Sequence, residues 1–360
     1  MKRNYGIDFL RLLSMFMVVM LHVLGQGGVL GAAENGGVKY WIVWFLEIAS
    51  YSAVNCFALI SGYVMYRSNA RLSKALNLWA QVAFYTIGAA VAVFILKPEV
   101  IGWGAVADAI FPVSRTHYWY ISAYFGLLLL QPLLNLMISH AEKRMLGTIL
   151  LTVFVFLAAF PTFLRSDPYL MGGGYSTIWL VVLYLTGAYI HKYEVTEKMK
   201  KSAGWLIFGI SLLATFGFTM GMEYLPEGIS KVFHYALLAY TSPTVVLMAL
   251  GLLIALSKQS FGKISAGIIS WCAPAALGVY LIHTNKLVWK YLLKGFSVSF
   301  AGHHWAVMVL LIFATALAIY AVCILMEKLR IWLFQLVKLD RLCQKAEQWI
   351  EKLLNKFVPV

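Results

Sequence analysis

Charge is what this sequence has least of. Only 12% of its 360 residues are Asp, Glu, Lys or Arg, against 61% hydrophobic, whereas a soluble domain carries about 25% charged residues. A mean hydropathy of +0.79 leaves no polar shell to cover a single buried core, so a water-soluble globular fold is excluded. Cysteine is sparse too. The four present (Cys56, Cys272, Cys323 and Cys343) lie far apart, with no CxxC pair and no metal-ligand spacing. Each is read as a buried thiol, and no metal site is expected. The sequence also lacks a Ser/Pro/Gly-rich linker, an internal repeat and the alternating pattern of a membrane β-barrel. What it has instead is long apolar runs. In lipid every backbone polar group must be satisfied internally, so these predict an all-α, polytopic membrane protein.

A span needs about 20 apolar residues. Ten runs qualify: 6–25, 40–65, 76–96, 118–138, 146–163, 176–192, 204–222, 235–256, 272–292 and 304–326. The first carries Asp8 and Arg11 and has no clear small-residue cleavage site, so it is read as a retained span rather than a signal peptide. The net charge of +14 would suggest nucleic acid in a soluble protein. Here the basic residues divide 20 to 8 between alternate connections, Lys2 and Lys97 being counted on opposite sides. That imbalance predicts both termini on the cytoplasmic side and removes the case for nucleic acid. Residues 327–360 differ in kind: Leu333, Leu336, Val337, Trp349, Leu353 and Phe357 recur at helical spacing among Lys, Arg and Glu. They predict an amphipathic helix along the inner leaflet, or a partner-binding helix, following a membrane domain over 1–326.

Ionisable residues inside spans are expensive and mark either structural pairing or function. Asp8, Arg11 and His22 share one face of the first helix, with Arg11 and His22 about 16 Å apart along its axis. Asp8 and Arg11 at i,i+3 can pair. The structural reading is an ion pair plus a histidine bonded to a neighbouring helix. The functional reading is a stripe joining a cytoplasmic anion to something on the far side. Ser61-Gly62-Tyr63 ends the second span before the cations Arg67, Arg71 and Lys74, a topology signal that could also grip phosphates. Arg115, His117, Trp119 and Tyr120 open the fourth span where an interfacial aromatic belt would lie, and His283 sits inside the ninth. His303 and His304 are read as solvated loop residues.

Four segments in this order resemble the acyltransferase-3 family of membrane proteins. They are Gly6-Ile-Asp8-Phe-Leu-Arg11 running on to His22; Cys56-Phe-Ala-Leu-Ile-Ser61-Gly62-Tyr63; His117-Tyr-Trp119-Tyr-Ile-Ser-Ala-Tyr124 leading to Pro132; and Leu277-Gly-Val-Tyr280-Leu-Ile-His283. They stretch over nearly the whole membrane domain. The resemblance implies an O-acyltransferase of the cell membrane, moving an acyl group from acetyl-CoA or another acyl-CoA to a hydroxyl of a cell-surface glycan or lipid-linked saccharide. On that basis His22 is expected as general base or transient acyl carrier, with Asp8 orienting Arg11. Arg11, Arg67, Arg71 and Lys74, with Ser61 beside them, would meet the coenzyme phosphates. Arg115, His117, Trp119, Tyr120 and, second in rank, His283 would meet the acceptor. The family often spaces its inner-loop pair Arg-x-x-Arg, whereas Arg67 and Arg71 stand one residue further apart. Some members carry an extracytoplasmic esterase-like domain. None is expected here, so transfer would be completed within the membrane. A secondary transporter of an anionic or lipid-linked sugar is the rival reading, and a sensor with a basic tail the third. Donor, acceptor, and monomer against homodimer stay open.

Overall fold

The computed structural model describes residues 3–68, 71–96 and 102–357; Lys2 and Lys97 lie outside them, as do the last three residues of the tail. The described residues form helices and turns with no strand. The elements are α1 (Tyr5–Leu24), α2 (Val38–Met65), α3 (Leu72–Leu96), α4 (Trp103–Ile110), α5 (Trp119–His140), α6 (Lys143–Leu164), α7 (Thr177–Lys192), α8 (Lys201–Met222), α9 (Glu227–Phe233), α10 (Pro243–Ser257), α11 (Lys263–His283), α12 (Trp305–Leu336) and α13 (Leu339–Phe357). Each of the ten expected spans overlaps a helix here, and eight of those helices are long and apolar enough to cross a membrane. The other two, α7 and α10, have 16 and 15 residues and are held between longer neighbours.

The first helix is the hub. Two thirds of its apolar window is buried (67%), against 22% for α3 and α6, so α1 stands inside a ring whose outer members show Leu206, Leu213, Leu310 and Leu317 to the lipid. Its start is fixed by Asn4, whose side chain accepts from the amides of Gly6 and Ile7 at 2.9 and 3.2 Å, satisfying donors that a helix N-terminus leaves open. Asp8 in the first turn complements the helix dipole. Helix α12 runs antiparallel to α1, with the Tyr320 hydroxyl donating to Leu12 O and Phe313 stacked on Phe16. Tyr5 and Leu336 therefore share one end of the bundle, called here the near face. Leu24 and Trp305 share the far face.

Gly62 and Gly187 let α2 and α7 touch backbone to backbone. A Cβ on Gly62 would stand 1.8 Å from Tyr184 O, and one on Gly187 2.0 Å from Leu59 O. The Ser-Gly-Tyr segment thus includes a helix crossing that only glycine permits, a common solution between membrane helices.

Three sequence expectations are corrected. The eighth span begins at Pro243 rather than 235, because residues 235–242 form an irregular connection ahead of the proline. The ninth span is Lys263–His283, not 272–292. Its first turns carry Lys263, Ser265 and Ser270, and the chain continues through a 3₁₀ turn at Ala273–Ala275 around Pro274. The apolar residues after it fold separately on the far face, where Asn285 caps a short helix by accepting from Leu287 N at 3.0 Å. Likewise α12 does not stop at 326. It continues to Leu336, burying Glu327 completely, and the amphipathic helix proper is α13. That helix lies against the start of α3 and leaves Leu342, Trp349 and Leu354 exposed.

Candidate functional site

The polar stripe of α1 faces the bundle interior. At its near end Asp8 accepts from Arg11 at 3.1 Å and from Arg3 at 2.6 Å, and Arg3 continues to Ser270 Oγ at 2.7 Å. Asp8 thus holds two arginines, of which sequence spacing suggested one. Arg11 is a third exposed and lies within electrostatic reach of the Tyr124 hydroxyl. Tyr124 stands 3.4 Å from Ser61 Oγ and stacks on Tyr120 at 5.9 Å.

At the other end of the stripe His22 meets His283. The two rings approach through His22 Nδ1 and His283 Nε2 at 2.8 Å, and His283 Nδ1 lies 2.5 Å from Val279 O. A carbonyl oxygen can only accept, so His283 Nδ1 carries a proton and donates it. In the neutral ring Nε2 is then an acceptor, which makes His22 Nδ1 the donor of the shared bond. His22 Nε2 is left with a free lone pair. A backbone carbonyl one turn away therefore sets the tautomer of a histidine on another helix. The rings of His22 and Trp289 also meet in a T-shaped arrangement, 4.8 Å between centroids.

His22 borders a cavity of about 50 Å³ whose walls include Val54, Phe57, Trp119, Tyr120, Tyr240 and Tyr280. That volume admits a few waters or a short acyl chain, not a sugar ring. Its aromatic wall is continuous: Trp119 stacks on Tyr240 at 5.9 Å and meets Tyr175 at 4.3 Å, and Tyr240 meets Tyr51 at 5.2 Å.

The other expected residues distribute unevenly. Trp119, Tyr120 and His283 join His22. Arg115 and His117 do not line its cavity. Arg115 donates to Asp108 of α4 at 2.5 Å, and Lys286 reaches the same carboxylate at 3.6 Å. The Arg115 hydrogen bond holds Asp108 below the usual carboxylate range, outweighing burial, with Lys286 assisting. His117 Nε2 accepts from Lys286 N at 3.4 Å while its Nδ1 has no partner. Burial, then the charge of Lys286, push His117 down to about 4, with Asp108 opposing. These residues tie α4 to the chain after α11. On the near face Arg67 covers the ring of Tyr66 at 5.2 Å, Arg71 lies beside Glu347 of α13, and Lys74 borders a groove with Arg330 and Asp340. His303 and His304 are exposed, and the four cysteines are free. Among the described residues no group of His, Cys, Asp and Glu has metal-binding geometry.

Sequence reasoning missed two features. Tyr240, expected inside the eighth span, lies instead in the connection that precedes it. Glu327, placed in the polar tail, is instead a buried anchor: it accepts from Gln81 at 3.0 Å and from Tyr85 at 2.5 Å, and pairs with Arg330. Its signal was a lone carboxylate ending an apolar run, three residues before an arginine.

No curated protein and no solved structure matches the chain. The family profile described as an acyltransferase domain matches residues 4–327, from the cap of α1 to the buried Glu327. With the match running from the cap of α1 into α12 and including both histidines of the pair, the chain belongs to the acyltransferase-3 family and is a membrane acyltransferase.

Proposed function

We propose that this enzyme transfers an acyl group, acetyl in the simplest case, from acyl-CoA at the near face to a carbohydrate hydroxyl entering from the far face. The near face is then cytoplasmic, as the distribution of Lys and Arg suggests. The observation that carries the reading is the His22–His283 pair beside a small aromatic-walled cavity. A sugar hydroxyl is a poor nucleophile until a base removes its proton, and a neutral imidazole suits that task. His22 Nε2 accepts the proton, the sugar oxygen bonds to the thioester carbonyl carbon, and the carbon–sulfur bond breaks. The departing thiolate then takes the proton from His22.

The remaining residues support that assignment in graded fashion. Arg11, held by Asp8 and a third exposed, would contribute charge toward coenzyme A phosphates. Arg67, Arg71 and Lys74 lie on the same face and would raise the local concentration of an anionic donor. Trp119 and Tyr120 would shield the acyl group from water. The cavity's small volume favours acetyl over succinyl.

The test is transfer of radiolabelled acetyl from acetyl-CoA to glycan in membrane vesicles carrying the protein. Label should reach the glycan with the wild type. It should fall at least about 100-fold with His22→Ala, the lower end of what a general base supplies. Wild-type transfer by a folded, inserted His22→Ala protein would end the proposal.

A further inference from the structure

Helix α2 carries a second polar feature that the catalytic reading leaves unused. Tyr40, Trp44, Glu47 and Tyr51 follow at spacings of four, three and four residues, so they form one stripe of the helix. At its outer end Tyr40 and Trp44 line an open cleft of about 920 Å³ on the far face, together with Glu223, Tyr224, His234 and Tyr235. At its inner end Tyr51 meets Tyr240, which walls the His22 cavity. The connection from 234 to 242 runs beside the stripe and supplies a matching rung at each end, Tyr235 on Trp44 at 5.7 Å and Tyr240 on Tyr51 at 5.2 Å. The rungs are about 10 Å apart along the helix.

Between the rungs sits Glu47. Its Oε2 has no exposed surface and no hydrogen-bond partner, and it lies within electrostatic reach of Tyr51. Trp44 is buried as well, and its Nε1–H makes no hydrogen bond of acceptable geometry although the Tyr40 hydroxyl is near. The Tyr40 hydroxyl is itself committed to Glu223. A buried polar atom without a partner is rare, and one on a membrane helix is costly. Two of them on one stripe, aligned with aromatic rings, with Trp44 lining the cleft and Glu47 one turn further in, describe a site that lacks its ligand's polar groups.

We infer that this stripe is an acceptor track that binds an oligosaccharide of at least two pyranose rings and leads a hydroxyl of the terminal ring from the far-face cleft toward His22, the ring itself staying at the mouth of the small cavity. The ligand class follows from the lining. Aromatic faces take the apolar faces of the rings. The free Glu47 oxygen accepts from a ring hydroxyl, and Trp44 Nε1 donates to a ring oxygen. Among the described residues lining the cleft the one Lys or Arg is Lys231, at 2.6 Å from Glu227, so the lining does not favour an anionic ligand. The track deepens the proposed function and rests on it for direction of use, but its binding property can be measured without catalysis.

The experiment is calorimetric titration of the purified full-length protein with N-acetylglucosamine and chitotetraose, and with glucose and maltotetraose as a second series. In at least one series the tetrasaccharide should bind about ten-fold or more tighter than its monosaccharide. Glu47→Leu should erase that difference while leaving the melting temperature equal or higher, because it removes an unpartnered buried carboxyl oxygen. Trp44→Phe, which keeps the ring and loses the N–H, should weaken the tetrasaccharide by about ten-fold. Neither variant should alter the thermal shift given by coenzyme A. Equal binding of monomer and tetramer in both series overturns the track, as does a Glu47→Leu protein that binds the tetrasaccharide normally. Length-dependent binding without any acyl transfer to glycan would instead leave the track standing and overturn the catalytic reading.

Discussion

Replacing His283 by alanine tests the histidine pair more sharply than replacing His22 does, because the two residues are assigned different jobs. In the proposed mechanism His22 exchanges the proton; His283 holds His22 in the tautomer that leaves Nε2 free, through the 2.8 Å contact and its own 2.5 Å bond to Val279 O. Losing the acceptor for His22 Nδ1–H forfeits a net hydrogen-bond energy of about 0.5–1.5 kcal/mol. That energy is the bias toward the productive tautomer and ring orientation. Since about 1.4 kcal/mol is a factor of ten, His283→Ala should lower kcat by about two- to twelve-fold. The His22→Ala loss is larger, about 100-fold or more. His283→Gln places an amide oxygen where it can accept from His22 Nδ1–H, so it should recover most of the lost kcat.

Initial rates of acyl transfer in proteoliposomes, with acyl donor and acceptor varied separately, give kcat and both KM values. The change should fall on kcat, because a tautomer bias alters the fraction of competent enzyme rather than substrate binding. Equal losses for His283→Ala and His22→Ala would refute the division of labour and point to two proton-transferring histidines. So would a His283→Gln protein no better than His283→Ala. A change confined to either KM would move His283 into substrate contact.

Two further predictions concern the scaffold. Arg330→Met should destabilise the protein by about 3–5 kcal/mol, since it strands the fully buried Glu327 carboxylate with only neutral partners; thermal unfolding in detergent reads this, and replacing Glu327 and Arg330 together by Gln and Met should recover much of it. His117 is held at about 4 by burial and by Lys286, against an ordinary value of 6.5. Between these values the unfolded chain binds the proton and the folded one does not, so stability is fully present above 6.5 and falls as pH drops toward 4. The loss should reach at most about 3 kcal/mol, and His117→Gln should flatten that part of the melting-temperature profile.

How much of this was readable in advance follows from how local each feature is. The stripe of Asp8, Arg11 and His22 is a property of one helix, and a 100° period suffices to find it. The Ser-Gly-Tyr segment was visible too, but its meaning was not. Gly62 is there because Tyr184 O of another helix would collide with any side chain, which only the packed pair reveals. The ninth span was displaced because hydropathy counts residues without asking what their polar groups bind. Ser270 looked like part of a loop until Arg3, from the opposite end of the sequence, was found on its hydroxyl. Arg115 and His117 were grouped with Trp119 by sequence proximity, yet a helix that begins at Trp119 separates what precedes it from what it carries inward.

The track along α2 shows where pairwise contact, rather than motif, carries the argument. Tyr40, Trp44, Glu47 and Tyr51 have heptad spacing and would pass in any membrane helix for a lipid-facing or core stripe. What sets them apart is the second rail, Tyr235 and Tyr240, more than 180 residues away in sequence. The two rails also explain a division in the enzyme. In the proposed reaction a donor needs only its thioester carbonyl at His22, and a 50 Å³ cavity is enough for its acyl group. An acceptor hydroxyl must be chosen among several on each ring, and that choice requires purchase on rings further out. If so, the near-face cations govern how well any acyl-CoA is used, and α2 governs which hydroxyl receives the group. Shortening the acceptor should then scramble the position of acylation before it slows the reaction.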